Sequence, residues 1–219
     1  MIRYTFSFDS GQETVFEIYF DRPQSFALDT PEWTRLEVHQ CPHCPLDRAK
    51  HSHCPAALEC IPVIEKFQHT PSFKRAKVTV ETPYRTYVKT VDAQTGIMAI
   101  IGLLMAKSEC PYLKRLKGLA QFHLPFSSTE ETLFRTVGAY FLRQYFKQKK
   151  GLDAPMDLSE LAKNYEDLNT LNYHFLQRIR LASEEDANLN ALVVLSNLSS
   201  VVGLSLEEQL DILQTQFSE

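Results

Sequence analysis

The sequence lacks most of the features that announce a protein's function. Its 219 residues contain no P-loop, no G-x-G-x-x-G, no G-x-S-x-G and no H-E-x-x-H, so the enzyme classes that carry those motifs are excluded, and a non-catalytic role is favoured over an enzymatic one. The longest apolar run is IMAIIGLLMA, 97–106, about half of what a membrane-spanning helix needs. The first residues alternate polar and apolar character and predict no secretory signal. We therefore expect a cytoplasmic protein that does not enter a membrane.

The sequence also has no large excess of positive or negative charge. The chain carries 23 Lys and Arg against 27 Asp and Glu, a formal charge of −4. The basic clusters at 73–77, 114–117 and 147–150 are short, and nothing resembles a basic arm or an acidic tail. A nucleic-acid partner is therefore not expected, because its electrostatic footprint is absent. We therefore expect a protein partner, whose identity the sequence does not give.

Cysteine is scarce but unevenly placed. Three of the five cysteines lie in CPHCPLDRAKHSHCP, 41–55, and an odd number in a reducing compartment indicates thiols or metal ligands instead of disulfides. The C-x2-C pair of Cys41 and Cys44 can present two thiolates to one ion. Cys41, Cys44, Cys54 and Cys110 are each followed by proline, whereas Cys60 is not. Proline holds the preceding residue extended, so these four cysteines share a conformational demand.

These patterns predict a metal site formed by Cys41, Cys44, Cys54 and Cys110. Cys60 is the alternative fourth ligand, and it requires a helix that starts only at Pro62. If the helix starts at Pro55 instead, Cys54 and Cys60 are about 9 Å apart along its axis, whereas two sulfurs on one zinc ion are about 3.8 Å apart.

The identity of the fourth ligand and of the metal stays open at this point. His51 or His53 could replace a cysteine. We expect zinc with a structural role in a regulatory or protein-interaction module. The alternatives are an iron–sulfur cluster for electron transfer or redox sensing, and a thiol redox enzyme that uses Cys41 and Cys44.

Periodicity predicts an α+β fold with a β-rich amino-terminal half, the cysteine metal loop and a carboxy-terminal helical bundle. We expect a β-rich lobe over 1–92, which carries the cysteine loop at 39–60, and a bundle over 93–219, packed as one compact unit. Strands are predicted at 2–8, 14–20, 33–39, 75–81 and 84–91. Helices are predicted from 93, from a Ser128–Glu131 capping box, and from further caps at Asp157, Ser183 and Ser205.

Two other features bear on function. Leu161, Tyr165, Leu168, Asn172, Phe175 and Ile179 follow each other at intervals of four and three, a bundle or coiled-coil seam that could serve a homodimer. His123, in FHLPF, could act as a general base, but no partner can be assigned to it, and a structural or surface histidine is the favoured interpretation.

Four segments carry a family likeness. CPHCPL, CPAAL, QTGIMAIIGLLMAKSECPYL and HLPFSSTEETLFRTVGAYFLRQYF together resemble an uncharacterised family of bacterial proteins of unknown function. The resemblance covers residues 40–150 and extends to the whole chain. It implies a bacterial, cytoplasmic setting and no particular activity.

Overall fold

A four-stranded antiparallel sheet forms the amino-terminal part of the protein. The computed structural model describes residues 1–21, 30–204, 206, 210, 211 and 214. The strands are β1 (Ile2–Phe8), β2 (Glu13–Ile18), β3 (Arg75–Glu81) and β4 (Thr86–Asp92), in the order β2-β1-β3-β4. Four of the five predicted strands are therefore confirmed, and the fold is of the α+β class.

The predicted strand at 33–39 is wrong. Glu32–Thr34 form a 3₁₀ turn; Trp33 within it and Leu36 just after it are buried. The alternation in WTRLEVH indicates a strand, but the backbone hydrogen bonds of this segment are not made to the sheet. Leu36 N–H donates to the Ser52 carbonyl at 2.9 Å, and Cys54 N–H donates to the Thr34 carbonyl at 2.8 Å. This segment therefore pairs with the cysteine segment instead of joining the sheet.

Two helices cover one face of the sheet. Side chains on that face alternate with polar ones along β1, as in a half-buried strand, and Tyr4 and Phe6 are fully buried. The helices α1 (Pro55–Phe67) and α2 (Ala93–Lys107) supply the other wall of this core. Helix α2 approaches the sheet closely at Gly96, where an added Cβ would lie 2.6 Å from Cε1 of Phe6.

Four further helices complete the described chain. They are α3 (Lys117–Gln121), α4 (Thr129–Lys149), α5 (Ser159–Arg180) and α6 (Ala187–Leu204). The Ser128–Glu131 capping box is present at the start of α4. The predicted cap Ser183 lies four residues before the start of α6. Asp186, directly before the helix, accepts hydrogen bonds from Ser72 through its side chain, which ties the start of α6 to the turn before β3. The last predicted helix, over 205–217, lies largely outside the described residues.

The predicted seam on α5 faces the interior of the chain. Five of its six residues are buried; Leu168 is partly exposed. The largest core cluster contains side chains from the sheet and from α1, α2, α5 and α6, so it crosses the predicted boundary at residue 92. Along the described part of the chain, we find no helix with the length and apolar character needed to cross a membrane.

A candidate metal centre

The first pair of cysteines lies on a tight turn. Cys44 N–H donates to the Cys41 carbonyl at 3.0 Å, which closes one turn of backbone around the C-x2-C sequence. The polar side chain of Gln40 braces the loop, because it donates to the Leu46 carbonyl at 3.1 Å and accepts from Arg48 Nε at 2.6 Å. The two cysteines are therefore held on one braced turn, and both are partly exposed.

The third cysteine precedes a helix. Cys54 is the N-cap of α1, with extended backbone (φ −73°, ψ 120°), and Pro55 is the first helical residue. The predicted helix start at Pro55 is confirmed. The N-terminus of a helix stabilises a nearby negative charge, because its first N–H groups have no partner within the helix. Cys54 therefore lies where a bound anionic ligand set would be stabilised by the start of the helix.

The fourth cysteine comes from the far end of α2. Cys110 follows that helix and is 8% exposed. Burial raises the pKa of the Cys110 thiol, and backbone hydrogen bonds from Leu113 and Tyr112 to the thiol act in the opposite direction. Backbone N–H groups that point at a sulfur are the donors that stabilise metal-bound thiolates. Cys110 is thus buried but supplied with donors for a negative charge.

These four cysteines line a single cavity of about 30 Å³, and Cys60 is not among its lining residues. Burial, and then the neighbouring thiols of Cys54, Cys110 and Cys44, raise the pKa of Cys41 to about 12. Cys60 is fully buried in α1, within the main core. The cavity thus brings together the four cysteines that precede prolines, from three separate segments of the chain.

The thiols share this cavity without forming a coordination group. Among the described residues, no group of three or more histidine, cysteine or acidic side chains is arranged so that it could hold a metal ion. The predicted metal loop is therefore not present as a formed site. The physical reason is that a neutral thiol packs like a small apolar side chain, so nothing draws four of them towards one point.

The two histidines considered as replacement ligands do not line the cavity. His51 is exposed, and His53 Nδ1 lies 2.8 Å from the hydroxyl of Thr34. His43 does line it, with its ring 4.3 Å from that of Tyr112. Its Nε2 is buried and has no hydrogen-bond partner among the described residues.

Comparison with known proteins places the chain in a family. The family model described as a domain of unknown function, DUF6901, matches residues 2–218. The chain belongs to the DUF6901 family. The resemblance seen in the sequence is thus confirmed over nearly the whole chain, and the family description assigns no activity. No curated protein and no solved structure matches the chain.

In this DUF6901 protein, a buried arginine lies beside the cysteines. Arg178 of α5 is 2% exposed and donates to the carbonyls of Trp33 at 2.7 Å and Arg35 at 2.5 Å. Burial lowers the pKa of Arg178, and the nearby thiols of Cys54 and Cys41 act to raise it. Sequence reasoning missed this residue. The available signal was its position three residues after Phe175, on the apolar face of the helix.

The partner of His123 was also missed. The hydroxyl of Tyr4 lies 2.5 Å from His123 Nε2. Burial, together with the charge of Arg135, lowers the pKa of His123 to about 3, so the ring is neutral. The two residues are 119 positions apart in the chain, and no local pattern could have paired them.

Proposed function

We propose that the protein binds one zinc ion through Cys41, Cys44, Cys54 and Cys110, and that the ion stabilises a non-catalytic module for regulation or protein interaction. One observation carries the proposal: the four cysteines that precede prolines line one cavity although they come from three segments of the chain. Cys60, the cysteine without a following proline, is absent from the lining.

The local backbone suits metal ligands. The C-x2-C turn at Cys41 and Cys44 can present two ligands to one ion, and Cys54 lies at the start of α1, where N–H groups without a helical partner stabilise an anionic ligand set. Backbone donors from Tyr112 and Leu113 offset part of the unfavourable burial of Cys110. Each proposed ligand therefore lies on backbone with a defined local geometry: a braced turn, a helix start or a segment with N–H donors to the sulfur.

The charge of Arg178 supports thiolates in the same place. A fully buried arginine is rare unless it is paired with a negative charge. No carboxylate of the described residues lies within ion-pair distance of Arg178. Four thiolates around a divalent ion carry a net charge of −2, so they would provide the missing partner. The cation thus favours the metal-bound form over four neutral thiols.

Binding would require a small rearrangement. The thiols must lose their protons to become ligands, and their side chains must turn towards a common centre. The ion would then connect the 41–44 turn, the start of α1 and the segment after α2. A site closed by four thiolates leaves no open position for a substrate, which favours a structural role over catalysis.

Two observations weigh against the alternative functions. The cavity of about 30 Å³ suits a single ion, whereas a cluster of several irons and sulfides needs its lining to move apart. A reactive thiol needs a lowered pKa, but burial raises the pKa of Cys41 to about 12. Zinc is therefore the favoured occupant, and the experiment must distinguish it from an iron–sulfur cluster.

The test is elemental analysis with a visible absorption spectrum, on protein purified without oxygen and without a histidine tag. We expect about one zinc ion per chain and no colour. Iron and acid-labile sulfide with broad visible absorption would overturn zinc in favour of a cluster. If the protein is metal-free and zinc added to it releases no protons and leaves thermal unfolding unchanged, the metal proposal fails altogether.

A further inference from the structure

Two cavities adjoin each other around the end of α3. The smaller lies between α2 and the helices α3 to α6, and the larger lies at one end of the sheet, beside the turn between β3 and β4. One has a volume of about 170 Å³ and the other about 270 Å³. Both are lined by His123, Leu124 and Arg135. These three residues therefore form a common wall, with one cavity on each side.

The smaller cavity is mainly apolar. Side chains from α2, α3, α5 and α6 line it, including Met98, Leu103, Leu119, Leu168, Leu195 and Leu198. An engineered apolar cavity of about 150 Å³ in another protein binds benzene. This cavity is of similar size, so it can hold a compact hydrocarbon body.

Arg135 has unused donors at this wall. Its Nη2 donates to the carbonyls of Leu119 at 3.2 Å and Phe122 at 2.6 Å. Its Nε and Nη1 make no hydrogen bond to the described residues. The Glu131 carboxylate, one turn earlier in α4, accepts from Ser128 N–H at 2.8 Å and does not line either cavity. The guanidinium therefore has donors available for an external anion.

His123 supplies a second donor. Its ring is neutral, because burial lowers its pKa to about 3. The Tyr4 hydroxyl has no other acceptor among the described residues, so Tyr4 donates to Nε2 of His123 and the remaining ring proton is on Nδ1. This Nδ1–H has no partner in the described part of the chain. Two donor groups therefore lie at the same wall without acceptors.

The charge around the wall is positive. Arg85 also lines the larger cavity, and neither cavity has an aspartate or glutamate among its described lining residues. Lys89 lies 5.8 Å from the ring centre of Phe126, which lines the smaller cavity. A cation would find no counter-charge here, whereas a carboxylate would meet charge-assisted donors.

We propose that this pair of cavities binds an amphipathic monocarboxylate, with its carboxylate between Arg135 and His123 and its hydrocarbon body in the 170 Å³ cavity. The larger and more polar cavity, bordered by the exposed Tyr84 and Phe122, lies on the other side of the wall from the hydrocarbon body. This site is separate from the cysteines and does not depend on a metal.

The test is isothermal titration of the full chain with straight-chain carboxylates from butanoate to decanoate. Affinity should rise about fourfold for each added methylene, because each one is buried, until the apolar cavity is full. Hexan-1-ol and hexylamine serve as matched probes without the negative charge, and they should bind at least tenfold more weakly than hexanoate. Equal binding of the alcohol, or no binding of any carboxylate, would overturn the proposal.

Two variants separate the head group from the hydrocarbon body. Arg135→Gln should weaken every carboxylate by about 10- to 100-fold, because a charge-assisted interaction is lost, and should leave the dependence on chain length unchanged. Arg143→Gln, on the same helix but outside both cavities, is the control. Ala106→Leu fills part of the apolar cavity and should make affinity stop rising at a shorter chain. Ala106→Leu tests the site independently if Arg135→Gln does not fold. An unchanged chain-length limit in Ala106→Leu would refute the site.

Discussion

Replacing Cys110 by serine should weaken zinc binding about a hundredfold. A structural zinc site contributes about 10–16 kcal/mol of binding free energy at neutral pH. Cys110 is one of four proposed ligands, so its loss should weaken binding by about 3 kcal/mol, which is roughly a hundredfold in the dissociation constant. A serine oxygen is a poor substitute for a thiolate in such a site. Cys44→Ser should have a similar effect.

Cys60→Ser is the matched control, because Cys60 is also a buried cysteine near the same segment. Its side chain belongs to the core of α1 and not to the cavity. We expect this substitution to lower the free energy of unfolding by about 1–3 kcal/mol, because a hydroxyl replaces a thiol in an apolar core. The zinc dissociation constant should stay unchanged. One variant therefore loses metal and the other loses stability.

The assay is zinc titration of reduced, metal-free protein in competition with a chromophoric chelator, followed by thermal unfolding with and without zinc. Zinc should raise the unfolding temperature of the wild type and of Cys60→Ser, and much less that of Cys110→Ser. If Cys110→Ser binds zinc as tightly as the wild type, our ligand set is wrong. If Cys60→Ser loses the metal instead, Cys60 is the fourth ligand.

Three further substitutions test separate parts of the structure. Arg178→Met should weaken zinc binding about tenfold in the same competition assay, because the buried cation beside the thiolates is lost, whereas Arg180→Met on the exposed side of α5 should not. Gly96→Ala should lower the free energy of unfolding in urea, since overpacking against Phe6 costs about 1–3 kcal/mol and exceeds the gain in helix propensity of about 1 kcal/mol; Gly138→Ala, with nothing within 4 Å of its added methyl group, should be stabilising. The folded chain holds His123 neutral, with a pKa of about 3 against an ordinary value of 6.5, so the unfolded chain takes up a proton first as pH falls below 6.5. The contribution of His123 to the free energy of unfolding is therefore fully present above pH 6.5 and should fall by about 1.4 kcal/mol for each pH unit below 6.5. If the free energy of unfolding of His123→Gln falls equally steeply with pH, this explanation is wrong.

Local signals in the sequence were enough for most of the secondary structure. The hairpin of β1 and β2, the start of α1 at Pro55 and the Ser128–Glu131 capping box each depend on residues close together in the chain. The strand predicted at 33–39 failed because alternation reports which side chains are buried, not where the backbone hydrogen bonds go. There the N–H groups of Leu36 and Cys54 pair the two loop segments with each other.

The candidate site was only partly accessible to sequence reasoning. The Cys–Pro steps favoured Cys110 over Cys60, and the cavity lining contains Cys110 and not Cys60; their role as ligands stays a prediction. The position of Arg178 on the apolar face of α5 was visible in the sequence, but its contacts were not, because they are to the backbone carbonyls of Trp33 and Arg35, more than a hundred positions earlier. Carbonyl groups are present at every residue, so they leave no mark in a sequence.

The order of the strands has a consequence for synthesis on the ribosome. Strand β1 is central in the sheet, but its second neighbour, β3, follows the whole cysteine segment and α1 in the chain. Until Glu81 has emerged, the hairpin of β1 and β2 has an open edge, and until α2 has emerged its apolar face with Tyr4 and Phe6 lacks one of its two covering helices. Open edges and uncovered apolar faces promote aggregation of nascent chains. A cysteine segment that folds early on its own would bring β3 to that edge sooner, by shortening the loop that has to close.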